Sequence, residues 1–138
     1  LHPEERDLVF LAGGIGITPL MAMLRHMRDV GDTRSVTLLY ANKKEAGIVF
    51  RDELQQIAAG KNPNLSLIHV LSRPHENWTG ETGHLDRDKI EKYCGPNLDE
   101  KTFYVCGPVK MAEGVMGILR KMGVPEWRIR REIFSFLD

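Results

Sequence analysis

A glycine-rich segment near the N-terminus is the first place where the residue types could support chemistry. Residues 13–19 read Gly-Gly-Ile-Gly-Ile-Thr-Pro and follow a short apolar run. Glycine allows backbone conformations that are closed to other residues and lets a phosphate approach the main chain. Thr18 is a good N-cap and Pro19 a good first residue for a helix. The segment therefore predicts a strand-to-helix turn whose free amides can hold a pyrophosphate, and a tight turn without a ligand is the alternative.

This segment matches the dinucleotide-binding fingerprint G-x-G-x-x-G only in part. Pro19 stands where a third glycine is expected, and no acidic residue ends the second apolar run, where a ribose-binding carboxylate is expected. The segment is also not a P-loop, because no Gly-Lys-Ser/Thr sequence follows it.

The tripeptide Cys-Gly-Pro occurs twice, in different contexts. Cys94 follows a polar helical pattern, where Gly and Pro are ordinary stop signals, so it is interpreted as structural. Cys106 follows an apolar run, and Pro108 is predicted to be the first residue of the next helix. A helix N-terminus favours a thiolate, which makes Cys106 a candidate reactive residue. The alternative is a small buried residue that lets a flat ligand pack closely.

Short apolar runs alternate with longer helical patterns along the whole chain. Strands are predicted at residues 8–12, 36–40, 65–71, 103–105 and 129–134, and helices at residues 19–30, 48–59, 85–93 and 109–122, with a polar loop over residues 72–84. This alternation predicts an α/β fold with an open, parallel, doubly wound sheet of five strands and helices on both faces. Such sheets bind ligands at the carboxyl ends of their strands, where both the glycine segment and Cys106 are predicted to lie.

Composition excludes several classes of protein. The chain has 138 residues, about one domain, and its 19 Lys and Arg balance its 19 Asp and Glu. This balance argues against nucleic acid or an anionic membrane as the main partner. Glycine and proline interrupt the uncharged residues 8–24, so no membrane span is predicted.

Two cysteines cannot by themselves build a disulfide framework or an iron–sulfur site, so a cytoplasmic location is expected. The five histidines lack metal-ligand spacing, and no metal site is predicted.

Five motifs in a fixed order resemble the NAD(P)-binding domain of the ferredoxin–NADP reductase superfamily. They are residues 12–19, residues 39–42, residues 71–74 with residues 78–80, residues 104–108 with Met111, and residues 132–134. The family has Thr-Pro where the fingerprint has its third glycine, which accounts for the misfit at Pro19. The resemblance covers essentially the whole chain, so residues 1–138 are expected to form one NAD(P)-binding domain with a Rossmann-like fold.

The resemblance implies a role for each matching position. The cofactor-binding residues would be Gly13, Gly14, Gly16, Ile17, Thr18, Pro19, Asn42, Ser72, Arg73, Gly107, Pro108 and Met111. The glycine turn would line the pyrophosphate and nicotinamide end, and the residues from Gly107 to Met111 would shape the adenosine side.

Three further residues would act at the reacting end of the cofactor. Cys106 would lie near the nicotinamide carbon that gives up hydride, and Glu132 would be a carboxylate near the nicotinamide. Phe134 would cover the flavin ring until the nicotinamide displaces it. A core position in the last strand is the alternative for Phe134.

Ser72 and Arg73 bear on the choice of cofactor. In the family, a carboxylate at the position of Ser72 favours NADH, because it binds the ribose diol and repels a 2′-phosphate. Ser followed by Arg can hold that phosphate instead, through a charge-assisted hydrogen bond. The pair therefore favours NADPH, and use of NADH stays open. Lys43 and Lys44 fit phosphate ligands and a solvated turn equally well.

The resemblance implies an NAD(P)H-dependent flavoprotein oxidoreductase that takes part in electron transfer. The Arg-x-Tyr/Phe-Ser/Thr flavin motif of the family is not found in the sequence. FAD or FMN is therefore expected on an upstream domain or a separate chain, with an iron–sulfur or haem acceptor beyond it. A fragment of a larger enzyme, inactive in isolation, is expected. A non-catalytic dinucleotide-sensing module and a domain for another ligand, such as S-adenosylmethionine, are the alternatives.

Overall fold

Runs of apolar residues form the strands of the structure, because a parallel sheet is covered on both faces and its side chains need apolar neighbours. The structure, a computed structural model, describes residues 1–132. The strands are β1 (Asp7–Gly13), β2 (Ser35–Asn42), β3 (Asn64–Leu71), β4 (Glu81–Thr82), β5 (Thr102–Cys106) and β6 (Ile129–Glu132). The helices are α1 (Ile17–Asp29), α2 (Arg51–Ala59), α3 (Arg87–Cys94) and α4 (Val109–Lys121). No helix within residues 1–132 has both the length and the apolar character needed to cross a membrane.

The six strands form one sheet in the order β4-β3-β2-β1-β5-β6, and all five pairs are parallel. The chain runs outward from β1 to β4 and then crosses to the other side of β1 for β5 and β6. The order therefore reverses between β1 and β5, which is the switch point where sheets of this kind bind ligands.

Helices cover both faces of this sheet, as the sequence predicts, and each face has its own apolar core. On one face α1 and α2 pack on alternate residues of the central strands, among them Phe10 and Leu38. On the other face α3 and α4 pack on the intervening residues, among them Leu11 and Leu39. Alternation along buried strands thus divides the apolar residues between two cores.

The structure corrects the prediction of five strands, because residues 1–132 already form six. The predicted polar loop over residues 72–84 contains β4, a strand of two residues that pairs with Val70 and Leu71. So short a strand has no periodic pattern to detect in a sequence. The segment predicted as the last strand forms β6 over Ile129–Glu132, and residues 133 and 134 lie outside the described residues.

Three helix starts also differ from the predictions. Helix α2 begins at Arg51, not at residue 48, because Phe50 adopts a left-handed conformation with φ of 59°. Helix α3 begins after Asp86, whose carboxylate accepts the amide of Lys89 at 2.9 Å. Thr18 is not the N-cap of α1, because a short 3₁₀ turn over Gly14–Gly16 precedes the helix, and its hydroxyl donates to the Ile15 carbonyl at 3.0 Å.

The turn after β1 and the turn after β5 are in direct backbone contact. A Cβ atom at Gly16 would lie 2.6 Å from the Cα and 2.7 Å from the amide nitrogen of Gly107. The same atom at Gly107 would lie 2.6 Å from the sulfur of Met111 and 3.3 Å from the amide nitrogen of Gly13. The two turns on either side of the switch point can therefore approach this closely only without side chains at Gly16 and Gly107.

Gly16→Ala is expected to destabilise the fold by about 1–3 kcal/mol, because the new methyl group meets backbone that cannot move away easily. Gly114→Ala is the matched control, since Gly114 lies in the middle of α4 with nothing within 4 Å of an added Cβ. That control should gain about 0.5–1 kcal/mol from helix propensity. Denaturant unfolding measures both changes, and an unchanged stability of Gly16→Ala would show that the turns do not need this contact.

Candidate functional site

A cavity of about 680 Å³ opens at the carboxyl ends of the strands. The loops after the first five strands all contribute to its wall. Its lining residues are Gly13, Gly14, Ala41, Asn42, Lys43, Lys44, Ala46, Gly47, Ser72, Arg73, Gly83, His84, Pro108 and Met111. Gly13 and Pro108 come from the two sides of the switch point, so the cavity spans the position that topology favours for a ligand.

A buried tyrosine fixes the glycine turn on this wall. The Tyr40 hydroxyl donates to the Gly14 carbonyl at 2.7 Å and accepts the Val49 amide at 3.4 Å. Burial raises the pKa of Tyr40, so the hydroxyl stays protonated and remains a donor. One side chain in β2 therefore connects the turn after β1 to the loop after β2. Gly14 itself has a φ of +55°, a conformation that favours glycine.

Three cations lie on the other side of the cavity. Pairing between β2 and β3 continues past their ends, because Ser72 donates its amide to the Asn42 carbonyl at 3.0 Å and Arg73 to the Lys43 carbonyl at 2.8 Å. These bonds hold Arg73 beside Lys43. Within residues 1–132, neither of them nor Lys44 forms an ion pair with a carboxylate. This end of the cavity thus suits an anionic ligand.

Asn42 presents an unsatisfied donor at the same wall. Its side-chain nitrogen Nδ2 is buried and has no hydrogen-bond partner within the described structure. The Asn42 side chain also interacts with the Tyr40 hydroxyl, where it partly offsets the effect of burial on the Tyr40 pKa. A ligand oxygen in the cavity would give Nδ2 an acceptor with better geometry. A sugar hydroxyl, a phosphate oxygen or a carbonyl would each satisfy it.

The structure brings together many of the residues that the sequence singles out. Those that line the cavity are Gly13, Gly14, Asn42, Ser72, Arg73, Pro108 and Met111. The others lie behind or beside it. Gly16 and Gly107 form the backbone contact, Ile17 is the buried first residue of α1, and Thr18 and Pro19 lie in the first turn of that helix.

Three residues are predicted to act on the reacting end of a cofactor, and the structure gives a position in the sheet for two of them. Cys106 ends β5 at the predicted edge, with its side chain buried in the core beside α1. Glu132 is its register partner in β6. Phe134 lies outside the described residues. Their roles stay predictions.

Some cavity residues were not predicted from the sequence. Ala46 and Gly47 belong to a 3₁₀ turn after β2, and Gly83 and His84 follow β4. Turn chemistry alone marks these positions weakly, and the place of Gly83 and His84 in the wall depends on the pairing of β4 with β3. Within residues 1–132, no three His, Cys, Asp or Glu side chains group closely enough to hold a metal ion.

A parallel sheet with a glycine turn at its switch point, and with cations across the adjoining cavity, is typical of α/β domains of the nucleotide-binding class. The sequence model described as "Oxidoreductase NAD-binding domain" matches residues 10–116. The chain belongs to this family.

Similar proteins agree with this assignment. NADH-cytochrome b5 reductase 2 of Mus musculus is 34% identical over 111 residues, which are 78% of this chain and 40% of that protein. Nitrate reductase [NADPH] of Leptosphaeria maculans is 32% identical over 130 residues, which are 94% of this chain and 14% of that protein. The cytochrome b5 reductase domain of Ulva prolifera nitrate reductase has a similar structure, with a TM-score of 0.85 and 27% identity, covering 96% of this chain and 52% of that one. The chain therefore spans less than half the length of the curated relatives named here.

Tyr40→Phe tests the link between the glycine turn and the loop after β2. The ring keeps its packing while the Gly14 carbonyl loses a donor, so we expect a loss of about 1–3 kcal/mol in the free energy of unfolding. Tyr93→Phe is the control, because the Tyr93 hydroxyl donates to the part-buried Glu81 carboxylate, which Lys92 still pairs with after the loss, so the cost should be about 0.5 kcal/mol or less. Equal losses for the two variants in denaturant unfolding would contradict a special role for Tyr40.

Proposed function

We propose that this chain binds NAD(P)H in a flavin-dependent electron-transfer reductase and positions the nicotinamide to pass hydride to FAD or FMN. The observation that carries the proposal is the cavity at the switch point, where a glycine turn faces three cations that have no carboxylate partner within residues 1–132. The family match over residues 10–116 supports the same ligand class.

The residues of the cavity fit such a dinucleotide. Asn42 Nδ2, which has no hydrogen bond of good geometry within residues 1–132, can donate to a ligand oxygen. Gly14 leaves open space at the position of a side chain. Lys43, Lys44 and Arg73 can neutralise phosphate charge. When bound, the nicotinamide supplies the hydride chemistry. The residues of this chain bind the dinucleotide, orient its nicotinamide and neutralise its phosphate charge.

NADPH is the cofactor that these residues favour. Ser72 carries no charge to repel a 2′-phosphate, and Arg73 beside it adds a cation held by the backbone bond to Lys43. The relatives named above include one with NADH and one with NADPH in their names, so the family match leaves the choice open. We therefore propose that NADPH binds more tightly, and that NADH is used as well.

A flavin-binding domain is the proposed partner. The relatives named here are longer than this chain and are reductases of cytochrome b5 or nitrate. We propose that the flavin lies on such a domain, upstream in the same protein or on another chain, and that electrons pass on to a haem or iron–sulfur acceptor. Cys106, Glu132 and Phe134 are the proposed residues at the hydride-transfer end. The cytoplasmic location stays a prediction.

Arg73→Ala tests the choice of cofactor. Removal of a cation from the phosphate end should weaken NADP⁺ binding about tenfold or more, with a smaller change for NAD⁺, because a charge-assisted bond is worth about 1.5–3 kcal/mol. Calorimetry on the chain with both nucleotides measures this. Arg87→Ala, an exposed arginine on α3, is the control and should change neither affinity. Equal affinities for both nucleotides in the wild type, unchanged in Arg73→Ala, would contradict the preference for NADPH.

Fusion to a flavin-binding domain tests the activity itself. Joined to the flavin-binding domain of mouse NADH-cytochrome b5 reductase 2, the chain should support NAD(P)H-driven reduction of ferricyanide, which neither half supports alone. Gly14→Val in the fusion is expected to weaken this rate at least tenfold, because the side chain fills the cavity wall and strains a φ of +55°. Nucleotide binding without dye reduction by a flavin-loaded fusion would favour a sensing module instead.

A further inference from the structure

A second cavity adjoins the first at its cationic end. It has a volume of about 590 Å³ and shares Lys44, Ala46 and Arg73 with the first cavity. Its remaining wall is formed by Glu45, Pro74 and His75. Lys44 and Arg73, the two cations that both cavities share, therefore lie next to the Glu45 carboxylate. Glu45 has no part in the nucleotide site described above.

The Glu45 carboxylate connects three elements. One oxygen, Oε2, accepts Nη1 of Arg51 at the start of α2 at 2.8 Å, and the other, Oε1, contacts Nε2 of His75 in the loop after β3. The Arg51 guanidinium, followed by the His75 ring, lowers the pKa of Glu45, so the group is ionised near neutral pH. Both oxygens are therefore acceptors.

The hydrogen bonds of His75 assign its tautomer. The amide of Asn77 donates to Nδ1 of His75 at 3.1 Å, so Nδ1 is an acceptor and carries no proton. The ring proton of the neutral side chain then lies on Nε2 and is donated to Glu45. The contact therefore needs no charge on His75 and consists of a neutral donor and a carboxylate acceptor.

Lys44 and Arg73 lie between two fixed points of these loops. On one side, the Arg73 amide is bonded to the Lys43 carbonyl. On the other side, Glu45 directly follows Lys44 in the chain and His75 follows Arg73 by two residues, and these two side chains are in contact. The spacing of the two cations is thus set at both ends.

We propose that the Glu45–His75 contact positions Lys44 and Arg73 for the 2′-phosphate of a bound NADP(H), and that it thereby sets part of the preference for NADPH. This inference rests on the proposed function. Glu45 and His75 are positioning residues, since they act through the two cations and do not need to touch the ligand.

An exposed contact of this kind contributes little to global stability, because water screens it and both side chains lose rotational freedom. His75 and Arg51 are each about half exposed, with 54% and 46% of their side-chain surface accessible. The effect is therefore expected in nucleotide selectivity, with the melting temperature nearly unchanged. That combination distinguishes a positioning role from a structural one.

His75→Ala is the primary variant, because it removes the contact and leaves the Glu45 carboxylate and its charge in place. At about pH 8, where histidine is ordinarily neutral, calorimetry on the chain should show NADP⁺ binding weakened about three- to tenfold and NAD⁺ binding changed less than about twofold. Glu126→Ala is the control, because it removes the exposed Arg120–Glu126 ion pair of 2.8 Å, whose residues do not line either cavity.

Two further variants test the mechanism. His75→Gln keeps a donor that can reach Glu45 and should restore NADP⁺ affinity to within about threefold of the wild type. In a Glu45→Ala background, His75→Ala should have almost no further effect, since the contact is already lost. Equal weakening of NAD⁺ and NADP⁺, a full effect in that background, or no effect of His75→Ala would each overturn the inference. A wild-type chain that binds neither nucleotide would contradict the proposed function as well.

Discussion

A Cβ atom at Gly16 would lie 2.6 Å from the Cα of Gly107. The turns after β1 and β5 can therefore be in contact only if both positions are glycine. These are the two turns that flank the switch point of the sheet. Their contact brings Gly13 close to Pro108 and Met111. A Cβ atom added to Gly13 would lie 3.2 Å from the Met111 sulfur. The wall of the cavity at this end is thus built by backbone contact, and the rest of the site is arranged around it.

The opposite end of the cavity depends on electrostatics. The chain as a whole carries no formal net charge, yet Lys43, Lys44 and Arg73 lie together without a carboxylate partner within residues 1–132. Elsewhere in the described structure most arginines are paired, as Arg25 is with Glu53 at 2.7 Å. Unpaired cations at one cavity are therefore a local property that net charge cannot indicate. Their position follows from the continued pairing of β2 and β3 beyond the sheet.

Much of this architecture could be predicted from the sequence, because its signals are local. Apolar runs predicted the longer strands, and the spacing of Leu20, Met23, Leu24 and Met27 predicted α1. Leu20, Leu24 and Met27 are buried there, and Met23 is partly buried against the same core. The glycine turn was placed correctly at the carboxyl end of β1. Features set by distant contacts were missed. The left-handed Phe50 shortened α2, and β4 exists through its pairing with β3 more than through its own two residues.

The same distinction applies to the candidate site. Residue type predicted Gly13 and Gly14 at a ligand site, because glycine lets a ligand approach the backbone, and the family resemblance implied Ser72 and Arg73 there; all four lie in the cavity wall. The roles of Tyr40 and Glu45 could not be predicted, since each depends on a partner brought close by folding. Tyr40 reaches Gly14 across 26 residues, and Glu45 reaches His75 across 30.

The two ends of the cavity are therefore sensitive to different changes. At the glycine end, tightly packed backbone leaves no room for adjustment, so a substitution there acts on folding and binding together. At the cationic end, the supporting contacts are polar and half exposed, and their loss leaves the core intact. Under the proposed function, variation at the cationic end would change nucleotide selectivity without a large cost in stability. A fold of this kind can keep one common nucleotide-binding turn while its selectivity is adjusted through the loops after β2 and β3.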